Sequence, residues 1–269
     1  MKALFFDATQ VNDIEALLSM YGSKAFASPC RSTVPLMSLI KDDLSLFGTM
    51  VEDCSVRGPH SYHFEYKVTA PGSRGGPSQT DIMIFANDSV LALEAKWTEP
   101  RYQNVTKRLK SRVTALSAKS ATPAVDYEGR ERAVINMWLA LLGTRSKCLS
   151  IEDAGKTIYQ MVHRAASACA TTHAPSLVYL HFSPPAGRSA ASLDDYRADL
   201  EYLHGLVESP AGYPFYLVDL PLAPTRYFYA IKDLKKGTDE TDRYVRDAIR
   251  LTKLFKFGNP RIEQIGAKR

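Results

Sequence analysis

Apolar and polar positions along the chain alternate between two periods. Residues 13–20 and 32–46 carry apolar side chains at helical spacing, and Leu36, Leu39, Ile40 and Leu44 form one 3.6-residue stripe. Residues 61–69 are rich in aromatics and alternate, which predicts a strand. Three glycines and two prolines within 71–77 predict a loop. Residues 80–86 and 89–96 are apolar on both faces and are separated by Asn87 and Asp88, a tight turn. Two-sided apolar strands are central strands, covered by helices above and below. A helix is expected to start near 98, with Val105, Leu109, Val113 and Leu116 on one side, and others over 128–142 and 153–170. A strand over 176–182, a loop over 183–189, a helix over 193–208, strands over 214–220 and 226–231, and a basic helix over 240–255 complete the series. This order predicts one α/β domain: a mixed central sheet flanked by helices, with its core in about 60–182, a helical insertion in about 98–150 and a C-terminal extension in about 183–269.

Composition narrows the class without deciding it. The 269 residues are 45% hydrophobic and 23% charged, which suits a single sizeable core. No run approaches the roughly eighteen apolar residues of a membrane helix, and the apolar patch before Asp7 is too short for a secretory signal. Cys30, Cys54, Cys148 and Cys169 show no CxxC spacing, which argues against a zinc site and predicts reduced thiols in a cytoplasmic protein. The net charge of +5 is mild, so its distribution matters more. Between 99 and 119 lie Arg101, Lys107, Arg108, Lys110, Arg112 and Lys119 against Glu99 alone, and 232–269 is also basic, with Arg243, Arg246, Arg250 and Lys253 on its helix. Such clusters are either a phosphate-binding surface or a solvated helix face. Arg108 and Arg112 point away from the Val105 stripe and are expected to reach solvent.

The chemistry concentrates on two strands. Glu94 and Lys96 are two apart and share a face. An antiparallel turn at 87–88 brings Asp81, at the start of one strand, to the end of the other. Two carboxylates and an ammonium at the edge of an apolar sheet are costly unless they are paired or hold a cation. Oxygen donors in this number suit Mg²⁺ or Mn²⁺, which keep several waters and bind through one or two carboxylates plus substrate phosphate. The Gly-rich loop at 71–77 carries Arg74, positioned either for a phosphate or simply within a hairpin loop. Trp97 is either a base-stacking platform or a core residue.

Asp81, followed after twelve residues by Glu94-Ala95-Lys96, together with the helix–three strands–helix–strand order, resembles the PD-(D/E)XK nuclease superfamily. Thr80 stands where that motif has proline. The resemblance implies a restriction-endonuclease-like core, Asp81 and Glu94 as metal ligands with the Ala95 carbonyl, and Lys96 as the catalytic lysine. It also implies a further acid, Glu65 or Glu15, and a polar residue from the following helix, for which Gln160 stands on one stripe with Lys156, His163 and Arg164. The implied activity is Mg²⁺- or Mn²⁺-dependent hydrolysis of nucleic acid, DNA before RNA, in restriction or another bacterial or phage conflict system. Lys107, Arg108, Arg112 and Arg74 would contact phosphates, and a homodimer is compatible with the sequence. Two other classes stay open: a nucleic-acid-binding module of the same fold without turnover, and an interaction protein with solvated basic faces.

Overall fold

A computed structural model gives the fold and describes residues 3–70, 76–118, 126–145, 147–184, 190–207 and 213–267. Arg74 and Lys119 lie outside the described residues. The strands are β1 (Ala3–Phe6), β2 (Thr9–Val11), β3 (His60–Val68), β4 (Ser78–Ala86), β5 (Ser89–Lys96), β6 (Ala174–Ser183), β7 (Phe215–Pro224), β8 (Phe255–Phe257) and β9 (Arg261–Ile265). The helices are α1 (Ile14–Met20), α2 (Thr33–Asp42), α3 (Leu44–Asp53), α4 (Val105–Ser117), α5 (Tyr127–Gly143), α6 (Tyr159–Ala168), α7 (Leu193–Val207), α8 (Arg226–Ile231) and α9 (Asp239–Leu251). Among the described residues no helix is long and apolar enough to cross a membrane.

The strands form one mixed sheet in the order β2-β1-β3-β4-β5-β6-β7-β8, with β9 also on β7. β4 runs antiparallel to its neighbours β3 and β5, while β5, β6 and β7 are parallel. The predicted two-sided burial holds. On one face Phe64, Ile82, Leu93, Leu180 and Val218 meet α1–α3, α8 and α9. On the other, Met83, Ala92, Leu177 and Leu217 meet α4–α7. Residues after 183 continue the sheet through β7, β8 and β9.

The structure corrects several expected elements. The helix expected over 32–46 is two helices, because the Asp43 carboxylate accepts from Leu46 N and caps α3. The helix expected over 153–170 is a short 3-10 turn (Asp153–Lys156) followed by α6, since Thr157 and Ile158 are extended and bonded to the 103–105 segment. Residues 226–231 are α8 rather than a strand. Thr225 caps it by accepting from Tyr227 N, and Phe228 and Ile231, three apart, are its buried pair. Its aromatic composition favours strands in isolation, and the packing of that pair overrides it. The short β1, β2, β8 and β9 are additional to the expected strands.

Candidate active site

The floor of the site forms where the β4–β5 ladder ends. Ile82 pairs with Leu93, and one step further the Asp81 carboxylate accepts from Ala95 N at 2.8 Å. Glu94 and Lys96 then project together toward α6, and they are only 3% and 2% exposed. Lys96 Nζ donates to Glu94 Oε1 at 2.7 Å, and Gln160 Nε2 donates to the same oxygen at 2.7 Å. Arg164 Nε donates to Glu94 Oε2 while its Nη1 donates to Ser78 Oγ. His163 Nδ1 lies 2.8 Å from that hydroxyl. Gln160, His163 and Arg164 reach the site because spacings of three and four place them on one side of α6. The Lys96 ammonium also stands 4.7 Å from the Tyr102 ring centre.

Glu65 joins from β3. It sits between the pairs Phe64–Ile82 and Tyr66–Thr80, hence opposite Asp81, and its φ is +50°. Left-handed backbone is unfavourable for a residue with a side chain and persists where the surroundings impose it. Glu65, Asp81, Glu94, Lys96, Gln160 and Arg164 all line one cleft of about 760 Å³, with Arg31, Arg108 and Arg112 also on its walls.

Electrostatics separates the acids. Burial opposes the Glu94 charge, but Arg164 and Lys96 outweigh it and hold its carboxyl below the usual range. Burial and then the Glu94 charge push Asp81 well up. The same two causes raise Glu65 to about 7. Three carboxylates therefore face two buried cations, Lys96 and Arg164. Burial, Arg164 and Lys96 hold His163 neutral. Among the described residues no three His, Cys, Asp or Glu side chains form a ready-made metal cage. The donor set is one of oxygens, three carboxyl groups against two cations, which fits a hard divalent cation that displaces their protons and is held by one or two carboxylates. Glu94 would exchange a protein contact for it.

Other expected residues fall elsewhere. Glu15 pairs with Arg250 at 2.9 Å, away from the cleft. Trp97 is buried against Phe228 and Phe255, so it is a core residue with no free face for a base. Lys107 is exposed. Arg108 instead lies half-buried, 5.4 Å from the Tyr159 ring, whereas the Arg112 side chain is 42% exposed, as expected, and faces Glu131 at 3.5 Å; both line the cleft. Arg101 is tied to Asp199. Of the C-terminal cations, Arg246 is held by Asp242 and Arg250 by Glu15 and Asp247. Arg164 received no role from sequence, although its place four residues after Gln160 was the available signal. Ser78 gave no signal at all.

Residues 7–213 match the model of a family described as "Domain of unknown function (DUF6946)". The chain belongs to that family. The match includes every residue of the cleft floor and ends before α8. No curated protein and no solved structure matches the chain.

Proposed function

We propose that the chain is a metal-dependent nuclease, with β3–β5, α6 and β6 as a restriction-endonuclease-like core. The observation that carries this reading is the surplus of carboxylate over cation on the cleft floor, at Glu65, Asp81 and Glu94, beside the ammonium of Lys96. Asp81 and Glu94, with the Ala95 carbonyl, would hold Mg²⁺ or Mn²⁺. Bound there, such a cation makes its water a stronger acid and neutralises charge on a phosphoryl oxygen. Lys96 is set to donate to the phosphate or to orient the attacking water. Gln160 and Arg164 fix the Glu94 carboxylate. Arg31, Arg108 and Arg112 line the walls that flanking phosphates would follow. DNA is the preferred substrate over RNA in this reading, and a cytoplasmic setting suits the free thiols.

A second reading, nucleic-acid binding without turnover, has one observation in its favour: both Glu94 oxygens already accept from protein donors. One experiment separates the two. Plasmid, linear duplex and single-stranded DNA, and RNA, are incubated with the protein in Mg²⁺, Mn²⁺ or EDTA. Cleavage in either metal that EDTA stops supports the nuclease. Salt-dependent binding with every substrate intact supports the second reading, and neither binding nor cleavage rejects both.

A further inference from the structure

A band of exposed tyrosine and basic side chains covers α8 and the turn after it. Phe228 and Ile231 face the core, which leaves Arg226, Tyr227 and Tyr229 outside, and Tyr229 is 56% exposed. The Arg226 guanidinium lies 4.8 Å from the Tyr227 ring centre, and Lys232 Nζ lies 5.2 Å from that of Tyr229. Lys235 and Lys236 follow, both exposed. Over 226–236 four cations face a single carboxylate, Asp233, which Lys232 meets only at 3.8 Å.

The band leads toward the cleft. The Phe228 ring packs 5.4 Å from Trp97 on the sheet face opposite Lys96, so the band reaches the cleft around the end of the sheet, by way of residues 27–31. Gly237 N donates to Ala27 O at 2.8 Å, which fastens the end of the turn to the segment leading into Arg31. Cys30 in that segment lies within the fields of Lys236, Asp233 and Lys232, and Arg31 lines the cleft.

We infer that this band is a track for single-stranded nucleic acid entering the cleft. This rests on reading the cleft as a phosphodiester site. Unpaired bases stack on the faces of Tyr229 and Tyr227, and Arg226, Lys232, Lys235 and Lys236 take the intervening phosphates. Exposed rings with cations beside them suit any base, because every base offers a π face. A duplex keeps its bases inside and gains only the phosphate contacts. Bare electrostatic attraction to an acidic protein would use the lysines and leave the rings idle.

The test is fluorescence anisotropy on the full chain in EDTA, which measures binding without cleavage. The probes are a labelled oligothymidylate of roughly twenty nucleotides and a duplex of the same length. Tyr229→Ala is expected to weaken single-strand binding about tenfold and duplex binding much less. Tyr229→Phe, which keeps the ring, is expected to bind as wild type. Lys232→Gln/Lys235→Gln/Lys236→Gln is expected to flatten log affinity against log salt by about two units, at roughly 0.7 per lost phosphate contact. Circular dichroism confirms folding; Lys235 serves the fold through its backbone carbonyl, which the substitution keeps. Single-strand binding unchanged in both Tyr229→Ala and the triple variant overturns the track. So does equal loss on single strand and duplex in Tyr229→Ala, or binding to anionic phosphatidylserine vesicles that oligothymidylate fails to compete. Because no metal is present, the expected binding pattern with no cleavage in Mg²⁺ or Mn²⁺ would reject the nuclease reading and keep the track. Cleavage with unaffected binding in all variants does the reverse.

Discussion

Two carboxylate–arginine pairs in this molecule, each with its carboxylate buried, do opposite work. Asp242 and Arg246 on α9 form a closed unit. Asp242 Oδ1 accepts from Phe26 N at 2.7 Å, and Oδ2 accepts from Arg246 Nη2 at 2.8 Å. The guanidinium also donates to the carbonyls of Leu18 and Gly22 and covers the Phe26 ring at 4.8 Å. One acid meets one base, and the pair pins α9 to the α1 segment. Glu94 and Arg164 look similar locally but stand among Lys96, Asp81 and Glu65 at the floor of an open cleft. There the acids outnumber the bases, and two of them hold their protons unusually tightly. The difference shows that a buried ion pair by itself says little about function. Acids crowded beside an opening, with their acidity pushed up by one another and by burial, are what mark a site, since folding alone has no use for them.

The comparison breaks most sharply on cleavage. Asp81→Asn and Glu94→Gln should each reduce metal-dependent cleavage of plasmid to background while the circular dichroism spectrum stays native. A variant that cuts at the wild-type rate would remove that residue from the site. Asp242→Ala should act only on stability, lowering it by about 3–5 kcal/mol in urea titrations, because Arg246 is left without its charge partner. Asp81→Asn, in contrast, should leave metal-free stability equal or higher, since it removes a carboxyl whose ionised form is opposed by burial and then by Glu94. If the two variants destabilise alike, the cleft acids are structural. Lys96→Met should slow cleavage by about a hundredfold to a thousandfold with DNA affinity nearly kept. Lost affinity with an intact rate per bound complex would make Lys96 an anchor.

Acidity sharpens the comparison on a smaller scale. An unfolded Glu titrates near about 4.3, whereas folded Glu65 holds its proton to about 7. Between those values the folded state binds more protons than the unfolded state, so this contribution to stability is present at low pH and lost as pH rises. Asp81 adds the same sign, and Glu94, lowered, has finished its opposite contribution below that window. The metal-free melting temperature should therefore decline from about pH 5 to 7 by a few degrees. Glu65→Gln should flatten the decline, and a profile in the variant as steep as in the wild type would refute the raised acidity of Glu65. The smallest effect belongs to the cleft wall. Lys107→Gln/Arg108→Gln/Arg112→Gln should flatten the salt slope of duplex binding by about two units, fewer than three full contacts because Glu131 already holds Arg112. An unchanged slope would move the duplex path off this wall.

Much of the site is legible in the sequence. The boundaries of β5 and the pairing across residues 87–88 follow from apolar runs meeting at a two-residue turn. Asp81, Glu94, Lys96, Glu65 and Gln160 do meet at one place. Arg74 lies outside the described residues, so its loop bears on none of this. The strand expected over 226–231 failed because its aromatics suit either state and only the burial of Phe228 and Ile231 chooses the helix. The short β1, β2, β8 and β9 escaped because three to five residues carry too little periodicity.

The sequence by itself determined the properties that depend on neighbours along the chain. These are the period of each long element, the shared face of Glu94 and Lys96, and the closeness of Asp81 across a short turn. Local geometry fixes such relations once the register is set. Only the tertiary structure decided which cations neutralise which acids. Arg164 meets Glu94 across 70 residues of chain and Ser78 across 86, and no local pattern encodes a contact of that span. The left-handed backbone at Glu65 and the inward turn of Arg108 are likewise products of packing. The crowding of carboxyl groups that singles out the cleft draws on β3, β4 and β5 against α6, and it exists only where those elements have been brought together.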